Sequence, residues 1–148
     1  MQSFNFILAS LAALGQAVPL AGRDESWQVT RFAAYQAAHS ISEIVSFNVQ
    51  IGSEDPTTCS GVGSGVTSSE PYLLPLSGSC VAGSGMTFNF TQVEDQAIRL
   101  DVIKTSDGVQ TVQTYTSNTG AVQFVSTGDN PLDTSTSYTG PQGFALQA

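Results

Sequence analysis

The chain is poor in positive charge: four Lys and Arg residues stand against twelve Asp and Glu, leaving a net charge of −8. Phosphate neutralisation needs clustered cations, so this balance argues against nucleic acid and anionic lipid as partners. Histidine occurs once, at His39, which removes the usual source of zinc ligands and of a catalytic base. Cysteine occurs twice, at Cys59 and Cys80, so no disulfide-rich framework and no spare thiol for a covalent dimer exist. Long apolar runs are also missing. Phe4 to Leu14 is the one nearly continuous stretch, and it is too short to span a bilayer.

That stretch does fit a signal peptide. Small residues at Gly15 and Ala17 suit the −3 and −1 positions of a cleavage site, predicting removal of residues 1–17, with a cut after Ala21 as the second choice. No Lys or Arg precedes the run, which departs from the usual pattern, and a buried N-terminal helix is the alternative. Secretion places Cys59 and Cys80 in an oxidising compartment, where a disulfide is the natural state. The chain-entropy picture gives such a loop about 3 kcal/mol of stabilisation.

Residues 18–26 read as an irregular leader, and residues 27–148 as one domain. From Trp27 the hydrophobic period is two. Trp27, Val29 and Arg31 alternate with Gln28, Thr30 and Phe32; Ile41, Val45, Phe47, Val49 and Ile51 share one parity. Met86, Phe88 and Phe90 form another such face, followed by Ile98, Leu100 and Val102. Asp107-Gly108 supplies the positive φ of a tight hairpin turn, after which Val109, Thr111, Gln113 and Tyr115 run back. Val122 and Phe124 suggest a further strand, and Phe144 to Leu146 a last one. A helix through Ala33–Ala38 would be short and uncapped. Cys59 to Ser69 reads as a Gly/Ser loop, Tyr72 to Leu76 as a short edge strand because Pro75 cannot donate to a ladder, and the stretch after Gly128 as a long Ser/Thr-rich connection. Seven or eight strands without a long helix predict an all-β fold, a single small antiparallel barrel or sandwich, with closure favoured because it removes exposed edges.

The ordered pieces Trp27-Gln-Val-Thr-Arg-Phe32, Ser46-Phe-Asn-Val-Gln50, Cys59-Ser60, Ser79-Cys80, Phe88-Asn-Phe90 and the hairpin Leu100 to Tyr115 resemble the AA1-like (Alt a 1-like) family of small secreted fungal proteins. The resemblance covers Trp27 to about Val125 and rests on pattern, with no catalytic signature. It implies a β-barrel, an extracellular or cell-wall location, and roles as allergen, elicitor or effector. It also implies binding of host defence proteins or of flavonoid-like aromatic molecules. The family's second intrachain disulfide and its dimer-linking cysteine have no counterpart here, which points to a monomer or a non-covalent dimer.

Chemistry-bearing residues offer little that converges. His39 lies in a polar linker, and no Gly-x-Ser-x-Gly elbow surrounds any serine. Glu54-Asp55 and Glu94-Asp95 are adjacent carboxylates in turns, and neighbours on a strand point to opposite faces. Asp101 sits opposite the apolar parity of its strand, where a surface pair is worth little. Gly61-Val-Gly63-Ser-Gly65 fits neither phosphate-loop template, and the surroundings of Asp107 and Asp129 lack calcium-loop spacing. Asn89-Phe90-Thr91 is a glycosylation sequon with its Asn on the polar parity. No catalytic residue, metal or cofactor is therefore assigned. The expected function is a non-enzymatic secreted recognition protein that meets a host extracellular protein. A carrier of small aromatic molecules is the alternative, and a carboxylate-dependent hydrolase a more distant one.

Overall fold

The computed structural model describes residues 25–64, 73–130 and 133–148. The expected signal peptide of residues 1–17 and most of the leader, residues 18–26, lie outside them. Ten antiparallel strands form one sheet among the described residues: β1 Trp27–Gln36, β2 Ser42–Ile51, β3 Thr57–Ser64, β4 Leu76–Cys80, β5 Met86–Gln92, β6 Ile98–Ser106, β7 Val109–Thr116, β8 Val122–Ser126, β9 Thr134–Tyr138 and β10 Phe144–Leu146. Apart from 3₁₀ geometry at Glu94–Gln96 and at Asp133, the described residues contain no helix. The all-β reading and the Cys59–Cys80 disulfide both stand.

Strands β1 to β7 are neighbours in chain order. Strand β10 returns to β1, pairing Trp27 with Leu146 and Val29 with Phe144. One residue on, Gln147 bridges Thr114 of β7 by two backbone bonds of 2.7 and 2.9 Å. That bridge rolls the sheet into a barrel, closed on a narrow front. The hairpin β8–β9 is carried outside this ring, on the C-terminal half of β1 through Tyr35↔Ser137 and Gln36↔Thr136.

One strand can take two neighbours on one edge because β1 is broken by a bulge. Thr30 pairs with Asn48 and Ala33 with Ser46, so Arg31 and Phe32 together oppose Phe47. Arg31 takes φ 55°, a conformation that costs a non-glycine residue energy. The effect on parity is decisive. Trp27 and Val29 face inward before the bulge; Phe32, Ala34 and Gln36 do so after it. An unbroken alternation would have turned Arg31 and Tyr35 into the core. The sequence reading that placed Arg31 on the apolar parity is corrected by this one extra residue. The Phe32 amide, freed from the β2 ladder, donates to the Gln142 carbonyl at 2.9 Å, between the β10 and β9 pairings.

The interior is filled by aromatic side chains. Phe32 touches the rings of Phe47, Phe90, Tyr138 and Phe144, with centroids 5.1–6.2 Å away. Phe47 meets Phe88 edge-on at 5.1 Å. Such contacts add about 0.5–1.5 kcal/mol beyond buried area. Around them Val45, Val49, Leu73, Ile98, Leu100 and Val102 are fully buried.

Ala33–Ala38, where a helix would have been short and uncapped, is strand as far as Gln36, in keeping with that reading. Three expectations yield to the structure. Residues Cys59 to Ser64, read as loop, are part of β3, paired with β2 on one side and with β4 on the other; the rest of that stretch lies outside the described residues. Leu73 to Pro75 are not strand, which begins at Leu76 and runs through Gly78 to Cys80. The Ser/Thr-rich connection contains β9. Glycine in β3 and β4 answers to packing: a Cβ at Gly61 would sit 3.1 Å from the Phe88 ring and 3.2 Å from Leu76, and one at Gly78 would collide with the Phe88 ring and the Ser60 carbonyl. The expected outcome for Gly78→Ala is a loss of about 1–3 kcal/mol in urea unfolding, the cost of overpacking, whereas Gly143→Ala, whose Cβ would meet nothing nearer than the Val29 carbonyl at 3.6 Å, loses less. Equal losses at the two sites would contradict the packing account.

Candidate functional site

Carboxylates are absent from the outward positions of β1–β5 among the described residues. Those positions carry Gln28, Thr30 and Tyr35, then Ile44, Ser46, Asn48 and Gln50, then Thr58, Ser60 and Val62, then Ser77, Ser79, Thr87 and Asn89. In a chain of net charge −8 this is a distinct surface. The acids collect instead in the turns at Glu54-Asp55, Glu94-Asp95, Asp107 and Asp129, where hydration is easy.

Two features stand out on this face. The first is a row of apolar side chains made by strand register: Tyr35 opposite Ile44, and Ile44 opposite Val62. Tyr35 is 41% exposed and Val62 69%, and Ile41 is exposed in the β1–β2 connection nearby in sequence. The second is the bulge itself. Arg31 lines a hollow of about 300 Å³ with Ser46, Phe47, Asn48 and Thr58. The Thr58 hydroxyl donates to Asn48 Oδ1 at 3.0 Å, which fixes the amide and leaves its NH₂ free to donate outward. Among the described residues, Arg31 has no carboxylate partner, whereas Arg99 pairs with Asp101 at 3.0 Å and Lys104 with Glu54 at 3.5 Å. A guanidinium beside amide and hydroxyl groups can grip a carboxylate or a backbone carbonyl of a docked molecule.

The residues singled out from sequence do not assemble elsewhere into catalytic machinery. His39 Nε2 pairs with Asp133 Oδ1 at 2.9 Å, tying the β1–β2 turn to the loop before β9. Glu54 holds Lys104, and Asp95 uses its carbonyl to accept the Gly120 amide. Asp101 accepts from Arg99 Nε and, at 2.6 Å, from the Thr114 hydroxyl. Gly61 and Gly63 belong to a strand; Gly65 lies outside the described residues. Asn89 is exposed on β5 and accepts from the Ser77 hydroxyl at 2.7 Å. Cys59 and Cys80 join register-paired positions of β3 and β4. Among the described residues no group of three or more His, Cys, Asp or Glu is placed to hold a metal ion, and no helix is long and apolar enough to cross a membrane.

A second concavity, about 540 Å³, follows the β7–β10 seam, lined by Thr114, Tyr115, Thr116, Phe144, Ala145, Gln147 and Ala148. Tyr115 and Phe144 stack at 3.7 Å. Burial, the Tyr115 hydroxyl bond and the Tyr115 charge all push the Tyr138 phenol well above its usual range.

Sequence reasoning missed Glu43. It lies on the Val45–Ile51 parity, and an acid on an inward parity is the signal that could have found it. Glu43 is fully buried, and its Oε2 accepts the Leu74 amide at 2.5 Å. Gln92 Oε1 accepts the neighbouring Leu73 amide at 2.7 Å, so two side chains pin the segment that drops Leu73 into the core. Burial raises the Glu43 carboxyl from 4.5 to about 7, against the opposing pull of the Leu74 amide.

Compared with known proteins, the chain matches no family model and no curated sequence. Among solved structures it is similar to the Alternaria alternata major allergen Alt a 1, at 19% identity and a TM-score of 0.49, over 84% of this chain and 93% of that one.

Because Glu43 binds its proton more tightly folded than unfolded, the folded state gains from it below pH 4.5 and loses that gain as pH rises through about 7. Urea unfolding is expected to show stability falling across this window by up to about 3 kcal/mol from this group. Glu43→Gln, neutral at every pH, should flatten that part of the slope. A slope unchanged by the substitution would contradict the assignment.

Proposed function

We propose that this chain is a secreted, non-enzymatic recognition protein that docks a host extracellular protein on the carboxylate-free outer face of β1–β3. The role is the one implied by the resemblance of its strand pieces to AA1-like effectors and allergens. The observation that carries it is the Tyr35–Ile44–Val62 row beside Arg31, set on a face free of carboxylates. Aromatic and arginine side chains are the residues that most often dominate protein interfaces. A face without carboxylates also spares an acidic partner the repulsion of a −8 chain. The disulfide fits an oxidising, extracellular setting.

The carrier reading rests on a narrower base. Phe32, Phe47, Phe88 and Phe90 occupy the barrel interior, so an aromatic ligand would have to sit outside it, in the seam by Tyr115 and Phe144. Trp27, register-paired with Leu146 of that seam, would report such binding by fluorescence.

The test is capture of apoplastic plant protein by the immobilised secreted protein, wild type against Tyr35→Ala, Arg31→Glu and Val62→Asp. One plant protein at stoichiometric yield is expected, with affinity at least tenfold weaker in Tyr35→Ala and Arg31→Glu, the penalty of losing an interface anchor. Capture indifferent to all three substitutions, or polysaccharide hydrolysis by the wild type, would sink the reading.

A further inference from the structure

We propose that the outer edge of β7, at Gln110 and Val112, is a strand-addition site for an extended cationic peptide segment of a partner. This edge is distinct from the β1–β3 face, and the inference stands or falls independently of it.

Backbone parity carries the argument. Asp107-Gly108 closes a two-residue hairpin in which Ser106 pairs with Val109. In such a hairpin the residues flanking the turn exchange both backbone bonds, and every second residue along the strand then repeats this. Val109, Thr111, Gln113 and Tyr115 therefore bond to β6. Gln110, Val112 and Thr114 aim their N–H and C=O groups away from it. Thr114 confirms the parity, since both its groups bond Gln147. Val112 and Gln110 lie farther along the same line, and no described strand pairs with them there.

The edge also lacks the protections that sheet edges normally carry. Val109-Gln-Thr-Val-Gln113 contains no charge and no proline, and Val109 and Val112 are 67% and 46% exposed. Native sheets usually blunt such an edge with lysine, proline or a bulge. An incoming strand would extend the line that β10 already follows, antiparallel to β7 and continuous with the Gln147–Thr114 bridge. Main-chain bonds supply the affinity in this mode of recognition. The chain's charge of −8, with Asp107 at the hairpin tip, selects a cationic segment over an acidic one.

The probe is the synthetic heptapeptide Lys-Val-Lys-Thr-Lys-Val-Lys, capped at both ends and titrated into the disulfide-intact protein. At saturation the Gln110 and Val112 amides should exchange with solvent at least tenfold more slowly. Val112→Pro should weaken binding at least tenfold. It removes an outward donor that β6 does not use, so an unchanged circular dichroism spectrum is expected. Gln110→Pro is a second variant with the same expectation if the first fails to fold. Equal binding by a peptide N-methylated at every residue would overturn the proposal. So would binding that leaves both amides unprotected, or insensitivity to both prolines. Protection of these amides without peptide, rising with protein concentration, would assign the edge to a second copy of the chain and overturn it as well.

Discussion

The extra residue in β1 is the constraint on which the barrel depends. By setting Arg31 and Phe32 against the single residue Phe47, the bulge inverts which parity faces inward. Phe32 thereby reaches the centre, where its ring meets four others drawn from β2, β5, β9 and β10. It also bends β1 enough for one edge to serve β10 at Trp27–Val29 and β9 at Tyr35–Gln36. Closure of the ring and attachment of the β8–β9 hairpin are thus consequences of one local departure from regular pairing. The left-handed φ of Arg31 costs energy that this packing must offset.

The same departure links the fold to the proposed docking face. Arg31 is ejected from the core parity and left in a hollow among Ser46, Asn48 and Thr58. Tyr35, which regular alternation would bury, is turned outward onto Ile44. Both anchors of the proposed docking face therefore exist because of the bulge. At the opposite side of the sheet, Glu43 and Gln92 hold the Leu73 segment into the core, where a buried carboxyl that favours its proton suits an acidic medium.

Much of this fold was legible in the sequence wherever one face is apolar and the other polar. β2, β5 and β6 follow from Phe47, Phe88, Phe90 and Leu100 on alternating positions, and the Asp107-Gly108 turn from its dipeptide. The Cys59–Cys80 bond followed from the expectation of secretion and an even cysteine count. β3 escaped because its inner positions at Gly61 and Gly63 must be empty for Phe88 and Leu76 to approach, and glycine reads as loop. β9 escaped because most of its Ser and Thr side chains are only partly buried, which erases the period-two signal. The proposed docking face was not legible at all. It is assembled by register across three strands, and the bulge that sets that register leaves no residue-type signature in Arg31-Phe32.

Amide hydrogen exchange at Phe32 tests the central claim most directly. If the bulge is formed and its freed amide bonds Gln142, Phe32 should exchange only through global unfolding, with the same opening free energy as Val49 and Leu100. Exchange at Phe32 near the rate of an unprotected amide, while Val49 and Leu100 remain fully protected, would contradict the account.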